Sequence, residues 1–122
     1  MILVDSSGWI EYLAARPKAE QFARYIEGSA PLVSSTIQIY EIYKVVKRDV
    51  SEDRAIAAVS ALRGTTIEPL TETLALEAAD VALEYGLAMA DAIIFATASS
   101  HDAEIVTGDS DFDGLPGVTL IR

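Results

Sequence analysis

The sequence contains no cysteine, which excludes disulfide bonds and thiolate metal sites. It has no apolar run of the ~18 residues that a membrane-spanning helix needs, and its N-terminus lacks the basic flank and apolar stretch of a secretion signal. We therefore expect a cytoplasmic protein without membrane association. Basic residues are also scarce: 9 lysines and arginines stand against 19 aspartates and glutamates, giving a net charge of −10. Such a chain repels phosphate at long range, so binding of nucleic acid would require metal cations and a local basic patch.

What the sequence does contain fits one compact domain, residues 1–122, with 51% hydrophobic residues and no internal repeat. Short apolar segments alternate with amphipathic ones, which is typical of parallel βαβ units. The predicted fold class is α/β, a single domain in which a parallel β-sheet is sandwiched between α-helices. The predicted strands are residues 2–4, 31–34, 65–70, 105–107 and 118–121, and the predicted helices are residues 6–15, 19–27, 36–48, 52–62, 72–85 and 88–98.

Several residues predict where these helices begin and end. Ser35 and Gln38 have the spacing of a capping box at the start of the third helix. Gly28 and Gly86 follow the second and fifth helices, where glycine commonly adopts the left-handed conformation that closes a helix.

Carboxylates stand where the predicted elements meet. Asp5 ends the first strand and Asp109 follows the strand at 105–107, while Glu41 and Asp91 lie on helices that we take to follow strands. A parallel sheet would bring these four residues to one edge, where ligands bind in open α/β folds.

Each of these residues also has a simpler interpretation. Asp5 or a neighbouring serine could cap the first helix, and Asp91 could cap its own helix. Glu41 could be a solvated residue, or could pair with Lys44 one turn away.

Aspartates at alternate positions, Asp109, Asp111 and Asp113, match the first half of a calcium-binding loop. The twelfth position of that loop requires glutamate, and here it is Leu120, so we reject a true EF-hand. A looser oxygen-ligand site and an ordinary Asp/Gly-rich turn both remain open.

No lysine or arginine adjoins Asp5, Asp91 or Asp109 in sequence. Converging carboxylates without cations would repel one another and destabilise the fold, and a divalent cation would remove that repulsion. Oxygen-only ligands favour Mg²⁺ or Mn²⁺.

Taken in order along the chain, these motifs resemble the PIN domain family, and more narrowly its VapC-type toxins. The residues that carry the resemblance are Leu3-Val4-Asp5-Ser6-Ser7, Glu41, Asp91-Ala92 with the helix that they open, and Thr107-Gly108-Asp109-Ser110-Asp111-Phe112.

This resemblance implies an Mg²⁺- or Mn²⁺-dependent endoribonuclease whose catalytic metal ligands are Asp5, Glu41, Asp91 and Asp109. Family members differ in which acid of the last motif contacts the metal, so Asp111 is a further candidate ligand. Ser7 and Thr107 match positions where hydroxyls position water or ligand. The resemblance also implies a homodimer, and a VapB-type antitoxin as partner.

The sequence also predicts, independently of the family resemblance, which residues could contact RNA. Lys44, Lys47 and Arg48 share one face of the third helix and could hold phosphate, or could simply be solvated. Four aromatic residues could stack on bases, or could pack at a dimer or antitoxin interface: Trp9, Tyr12, Tyr40 and Tyr43.

Three further functions compete with the ribonuclease. The first is a phospho-accepting receiver domain, which needs a lysine after a late strand, whereas all three lysines here lie in the first half of the chain. The second is a binding module of the same fold without activity, and the third is a related DNA nuclease.

Overall fold

The computed structural model describes residues 1–122 and contains five strands and six α-helices in the predicted alternation. All predicted strands and helices are confirmed, with ends displaced by at most two residues. In chain order the elements are β1 (Ile2–Val4), α1 (Ser6–Leu13), α2 (Ala19–Ile26), β2 (Val33–Ser35), α3 (Thr36–Asp49), α4 (Glu52–Leu62), β3 (Thr66–Glu68), α5 (Glu72–Tyr85), α6 (Met89–Ser100), β4 (Glu104–Thr107), a short 3-10 helix (Ser110–Phe112) and β5 (Val118–Leu120).

All strand pairs are parallel, as predicted. One ladder contains β1, β4 and β5, and the other contains β2 and β3. A single bridge between Ile2 and Leu32 connects the two ladders, which gives the order β3-β2-β1-β4-β5. The chain leaves β1 towards β2 on one side and later returns to β4 on the other. This reversal opens a crevice beyond the carboxyl ends of β1 and β4.

Helices cover both faces of the sheet. Leu3 of β1 belongs to a buried cluster formed with α5 and α6, whereas its neighbour Val4 belongs to a second cluster formed with α1, α2, α3 and α4. Successive residues of a strand point to opposite faces, so a strand that is apolar throughout can fill both clusters. The predicted sandwich of a parallel sheet between helices is confirmed.

The helix ends agree with the sequence at two places and differ at a third. Ser35 and Gln38 form the predicted capping box, and Gly86 closes α5 with φ 69°. Gly28 is not in the left-handed region, so that prediction is wrong. A Cβ at Gly28 would lie 2.7 Å from the Arg24 carbonyl oxygen, so glycine is needed there for space.

The helix that carries Asp91 was expected to follow a strand, and this expectation is also wrong. α6 follows α5 directly, with Gly86, Leu87 and Ala88 between them. Residues 92–98 of α6 are all buried, which explains their nearly continuous apolar sequence. No single helix is both long and apolar enough to cross a membrane; α5 and α6 meet that criterion only as a pair, with a bend of 112° between them.

Candidate metal centre

Three carboxylates form a tight group at the crevice. Asp91 lies in the first turn of α6, Asp109 follows β4, and Asp111 lies in the 3-10 helix after it. One oxygen atom from each lies within 4.8 Å of those from the other two. The structure thus brings Asp111 together with two of the predicted ligands, in a spacing that suits one shared cation.

Asp91 has no partner of its own. It is half-buried, and it accepts no hydrogen bond and forms no ion pair. Ala88, not Asp91, occupies the N-cap position of α6, so the capping interpretation of Asp91 is wrong. Burial and the charges of Asp109, Asp5, Asp111 and Glu41 raise the pKa of Asp91 to about 7.

Asp5 lies buried beside this group. It occupies the N-cap position of α1, but its side chain makes no capping hydrogen bond. Its Oδ2 atom instead accepts hydrogen bonds from the Ser7 hydroxyl at 3.0 Å and the Thr107 hydroxyl at 2.8 Å. Burial raises the pKa of Asp5, although both hydroxyls oppose the shift by stabilising the carboxylate.

Thr107 and Ser7 also connect the ends of β1 and β4. The Thr107 hydroxyl accepts a hydrogen bond from the Asp109 backbone N–H at 2.9 Å, and the Ser7 hydroxyl accepts one from the Gly108 N–H at 3.2 Å. These bonds fix Asp5 relative to the loop that carries Asp109. Because both hydroxyls hold protein groups here, their predicted role in positioning water or ligand stays a prediction.

Glu41 reaches the site from α3. The Ser6 hydroxyl donates a hydrogen bond of 2.8 Å to Glu41 Oε1. Burial and the charges of Asp5 and Asp109 raise the pKa of Glu41, while the Ser6 hydrogen bond and the charge of Lys44 oppose the rise. Glu41 and Lys44 do not form the ion pair considered from the sequence. The Lys44 ammonium instead lies 4.8 Å from the centre of the Tyr40 ring.

Sequence reasoning missed the part played by Ser6. A serine at the first position of a helix is common, and nothing local indicates that it contacts a residue 35 positions away. Only the expectation that Asp5 and Glu41 share one edge of the sheet could have suggested the contact.

None of the five carboxylates at the crevice, Asp5, Glu41, Asp91, Asp109 and Asp111, forms an ion pair. The ion pairs of the protein all lie elsewhere and involve Asp49, Glu52, Glu68 or Asp113. Asp113, the third acid of the calcium-like pattern, pairs with Arg122 at 3.2 Å and lies outside the tight group. The carboxylate atoms that could coordinate a metal ion at the crevice are all oxygen atoms, the ligand type that Mg²⁺ and Mn²⁺ prefer.

The three predicted RNA contacts lie on the neighbouring surface of α3. Lys44, Lys47 and Arg48 are exposed and line a groove between α3 and α4 with a volume of about 590 Å³. This groove, not the acidic crevice, is the largest cavity of the protein. Arg48 also pairs with Asp49 at 2.7 Å, and Lys47 lies 3.9 Å from Glu52.

Comparison with solved structures finds the same architecture in several toxin–antitoxin proteins. A toxin–antitoxin complex from Klebsiella pneumoniae contains a chain with 30% identity and a TM-score of 0.81, aligned over 98% of this chain and 96% of that one. VapC20 of Mycobacterium tuberculosis, a toxin that cleaves the sarcin-ricin loop, has 20% identity and a TM-score of 0.84 over 100% of this chain and 99% of that one. DNA-bound VapBC from Salmonella typhimurium has 17% identity and a TM-score of 0.74 over 99% of this chain and 98% of that one.

At the level of sequence families, the model of the PIN domain matches residues 2–118. Among curated proteins, no relative matches the sequence significantly. A match over nearly the whole chain, together with the fold and the acidic crevice, shows that the chain belongs to the PIN domain family.

Proposed function

We propose that this protein is a metal-dependent endoribonuclease and the toxin of a VapBC-type toxin–antitoxin module. The observation that carries the proposal is the crevice at which Asp91, Asp109 and Asp111 meet beside Asp5 and Glu41, with no ion pair to any of the five. The similarity to the Klebsiella toxin–antitoxin complex supports the toxin assignment. The family match removes the receiver-domain alternative.

The residues of the crevice fit a divalent cation. Asp91, Asp109 and Asp111 would hold it directly, and Asp5 and Glu41 would complete the acidic set. A cation there would offset the repulsion that raises the pKa of Asp91. When bound, Mg²⁺ or Mn²⁺ supplies Lewis-acid stabilisation of phosphate oxygens and lowers the pKa of a water that attacks the phosphodiester bond.

The surrounding residues orient the acids. Ser7 and Thr107 fix Asp5 through its Oδ2 atom, and Ser6 fixes Glu41 through Oε1. Such hydrogen bonds hold ligands in the productive orientation before the metal and substrate bind. Lys44, Lys47 and Arg48 supply the local positive charge that an RNA phosphate needs on a chain of net charge −10.

The same proposal includes the partners that go with the family resemblance. The proposed substrate is cellular RNA, and we therefore propose that the protein acts in the cytoplasm. A VapB-type antitoxin blocks the site until it is removed, and the toxin acts as a homodimer. The complexes from Klebsiella pneumoniae and Salmonella typhimurium support the antitoxin as partner.

The test is incubation of purified, antitoxin-free protein with total cellular RNA in EDTA, in Mg²⁺ and in Mn²⁺. We expect discrete cleavage products with either metal and intact RNA in EDTA. Cleavage that persists in EDTA would contradict the metal-dependent mechanism. A folded protein that binds Mn²⁺ and cuts no RNA would favour the binding module without activity.

Removal of the Ser6 hydroxyl tests the orientation of Glu41. Ser6→Ala is expected to weaken Mn²⁺ binding and RNA cleavage by about 10-fold, the smaller effect typical of residues that orient metal ligands. Ser6→Thr keeps a hydroxyl and should stay close to wild type. Calorimetric Mn²⁺ titration measures the affinity, and urea unfolding checks that both variants are folded. Equal Mn²⁺ affinities of the two variants would show that Ser6 does not act through Glu41.

A further inference from the structure

The buried side chain of Gln38 connects the ends of β1 and β2. Gln38 lies in the first turn of α3 and is completely buried, which is uncommon for a glutamine. Its amide nitrogen donates a hydrogen bond of 2.7 Å to the Val4 carbonyl, and its amide oxygen accepts one of 2.9 Å from the Ser35 backbone N–H. Val4 ends β1 and Ser35 ends β2, so a single amide joins the two strands.

This amide takes the place of a direct bond between the strands. One bridge joins them, between Ile2 and Leu32, and in it the Ile2 N–H donates to the carbonyl of the residue before Leu32. In that register, a continued parallel ladder would bond the Ser35 N–H directly to the Val4 carbonyl. Gln38 lies between these two groups instead and satisfies both. The gap between the carboxyl ends of β1 and β2 therefore has the width of one amide group.

Both neighbours of Asp5 in sequence are tied to α3. The Val4 carbonyl accepts the hydrogen bond from Gln38, and the Ser6 hydroxyl donates one of 2.8 Å to Glu41. Gln38 and Glu41 are three residues apart, which places them about 4.5 Å from each other along the helix axis. Two hydrogen bonds one helical turn apart thus fix the helix that carries Glu41 relative to the segment that carries Asp5.

The peptide group between Val4 and Asp5 is held on its other side as well. The Asp5 N–H donates a hydrogen bond of 2.9 Å to the Val106 carbonyl of β4. Helix capping does not explain why Gln38 contacts this peptide, because a capping box needs only the bond between Gln38 and the Ser35 N–H. The second bond, to Val4, links the start of α3 to the acidic crevice.

We propose that Gln38 is a positioning residue that sets the separation of Asp5 and Glu41 and thereby the affinity of the crevice for a divalent cation. Gln38 acts through the Val4 carbonyl and through α3, and its own amide is fully used by the protein. Residues that orient metal ligands in this way affect metal affinity by 10- to 100-fold. The inference rests on the proposed metal-dependent function and adds a residue to its site.

The test compares two variants that weaken the same end of α3. Gln38→Met keeps the approximate size of the side chain and removes both hydrogen bonds. Ser35→Ala removes the other half of the capping box, in which the Ser35 hydroxyl accepts a hydrogen bond of 3.2 Å from the Ile37 N–H, but keeps the backbone N–H that bonds Gln38. Both variants should unfold at lower urea concentrations than wild type, so loss of stability does not distinguish them.

Metal binding distinguishes them. With sucrose added to keep all proteins folded, calorimetric titration should show Mn²⁺ binding about 10-fold weaker in Gln38→Met and within about twofold of wild type in Ser35→Ala. The EPR spectrum of the protein saturated with Mn²⁺ should change in Gln38→Met alone, because it reports the arrangement of the ligands. The kcat for RNA cleavage should fall about 10-fold in Gln38→Met at an unchanged KM, since a buried side chain does not contact RNA.

Wild-type Mn²⁺ affinity and EPR spectrum in Gln38→Met would overturn the inference and leave Gln38 a purely structural role. If Gln38→Met does not fold in sucrose, Gln38→Asn replaces it under the same criteria, because its shorter side chain cannot reach both partners. The outcome is separate from that of the proposed function. If wild type binds Mn²⁺ and cuts no RNA, the ribonuclease proposal fails, and weaker Mn²⁺ binding by the Gln38 variant still supports the inference. If RNA is cut and the variant binds Mn²⁺ as wild type does, only the inference fails.

Discussion

Asp91→Asn is expected to lower metal-dependent RNA cleavage by at least about 100-fold. Loss of residues that only orient metal ligands costs 10- to 100-fold, so loss of a direct ligand should cost no less. Asparagine keeps the size of the side chain and removes the charge at the centre of the tight group. Cleavage of total RNA in Mg²⁺ and in Mn²⁺, followed over time, measures the effect.

The matched control is Asp113→Asn. Asp113 belongs to the same acidic stretch of sequence, but it is exposed and pairs with Arg122 away from the crevice. Its replacement should leave cleavage within about twofold of wild type, since surface substitutions have small effects. If both variants keep full activity, the observed cleavage arises from another site or from a contaminating nuclease.

The second large effect is on stability: we expect Asp91 to support RNA cleavage but to destabilise the metal-free fold at neutral pH. Without metal, the folded protein raises the pKa of Asp91 from 3.8 to about 7. The stabilisation that comes from protonated Asp91 is complete below about pH 4 and is lost as the pH rises through about 7. Metal-free wild type should therefore lose stability between about pH 5 and about pH 7.5, and the raised pKa values of Asp5 and Glu41 act in the same direction.

Asp91→Asn removes most of this dependence. At about pH 7.5 in EDTA, the variant should exceed wild type in free energy of unfolding by about 1–2 kcal/mol, a value reduced from the full pKa shift because Asp91 is half exposed. Mn²⁺ at a concentration that saturates wild type should stabilise wild type and should stabilise the variant much less. Urea unfolding at both pH values, with EDTA or Mn²⁺, measures these differences. A variant less stable than wild type in EDTA would show that Asp91 supports the fold.

A residue that destabilises the metal-free fold and is expected to be needed for activity marks the site as functional. Buried polar side chains are normally satisfied within the protein, as Gln38 is by its capping box and by the Val4 carbonyl. Asp91 instead lacks any partner that the chain supplies. The missing partner is what a bound cation would provide.

The strands and helices could be predicted from the sequence because the patterns that indicate them are local. The apolar segments, the Ser35–Gln38 capping box and Gly86 each report on a few consecutive residues, and the structure confirms them. The prediction of a left-handed conformation at Gly28 was wrong because glycine serves two purposes at helix ends. It provides positive φ at Gly86, but at Gly28 it gives room for the Arg24 carbonyl.

The acidic site was predicted only in outline, because its geometry depends on distant parts of the chain. Strand order brings Asp5 near Asp109, and this followed from the rule for the carboxyl ends of parallel strands. The hydrogen bond from Ser6 to Glu41 depends on how α1 packs on α3, and no local pattern encodes that packing. The α3–α4 groove likewise exists only once the two helices are packed.

The most direct test of the central claim, that the crevice binds a divalent cation, is calorimetric titration with Mn²⁺ of metal-free wild type, Asp91→Asn and Asp113→Asn at about pH 7.5. We predict saturable binding to wild type and Asp113→Asn, and at least about 100-fold weaker binding to Asp91→Asn. Equal Mn²⁺ affinity for wild type and Asp91→Asn, or no saturable binding to the folded wild type, would contradict the account.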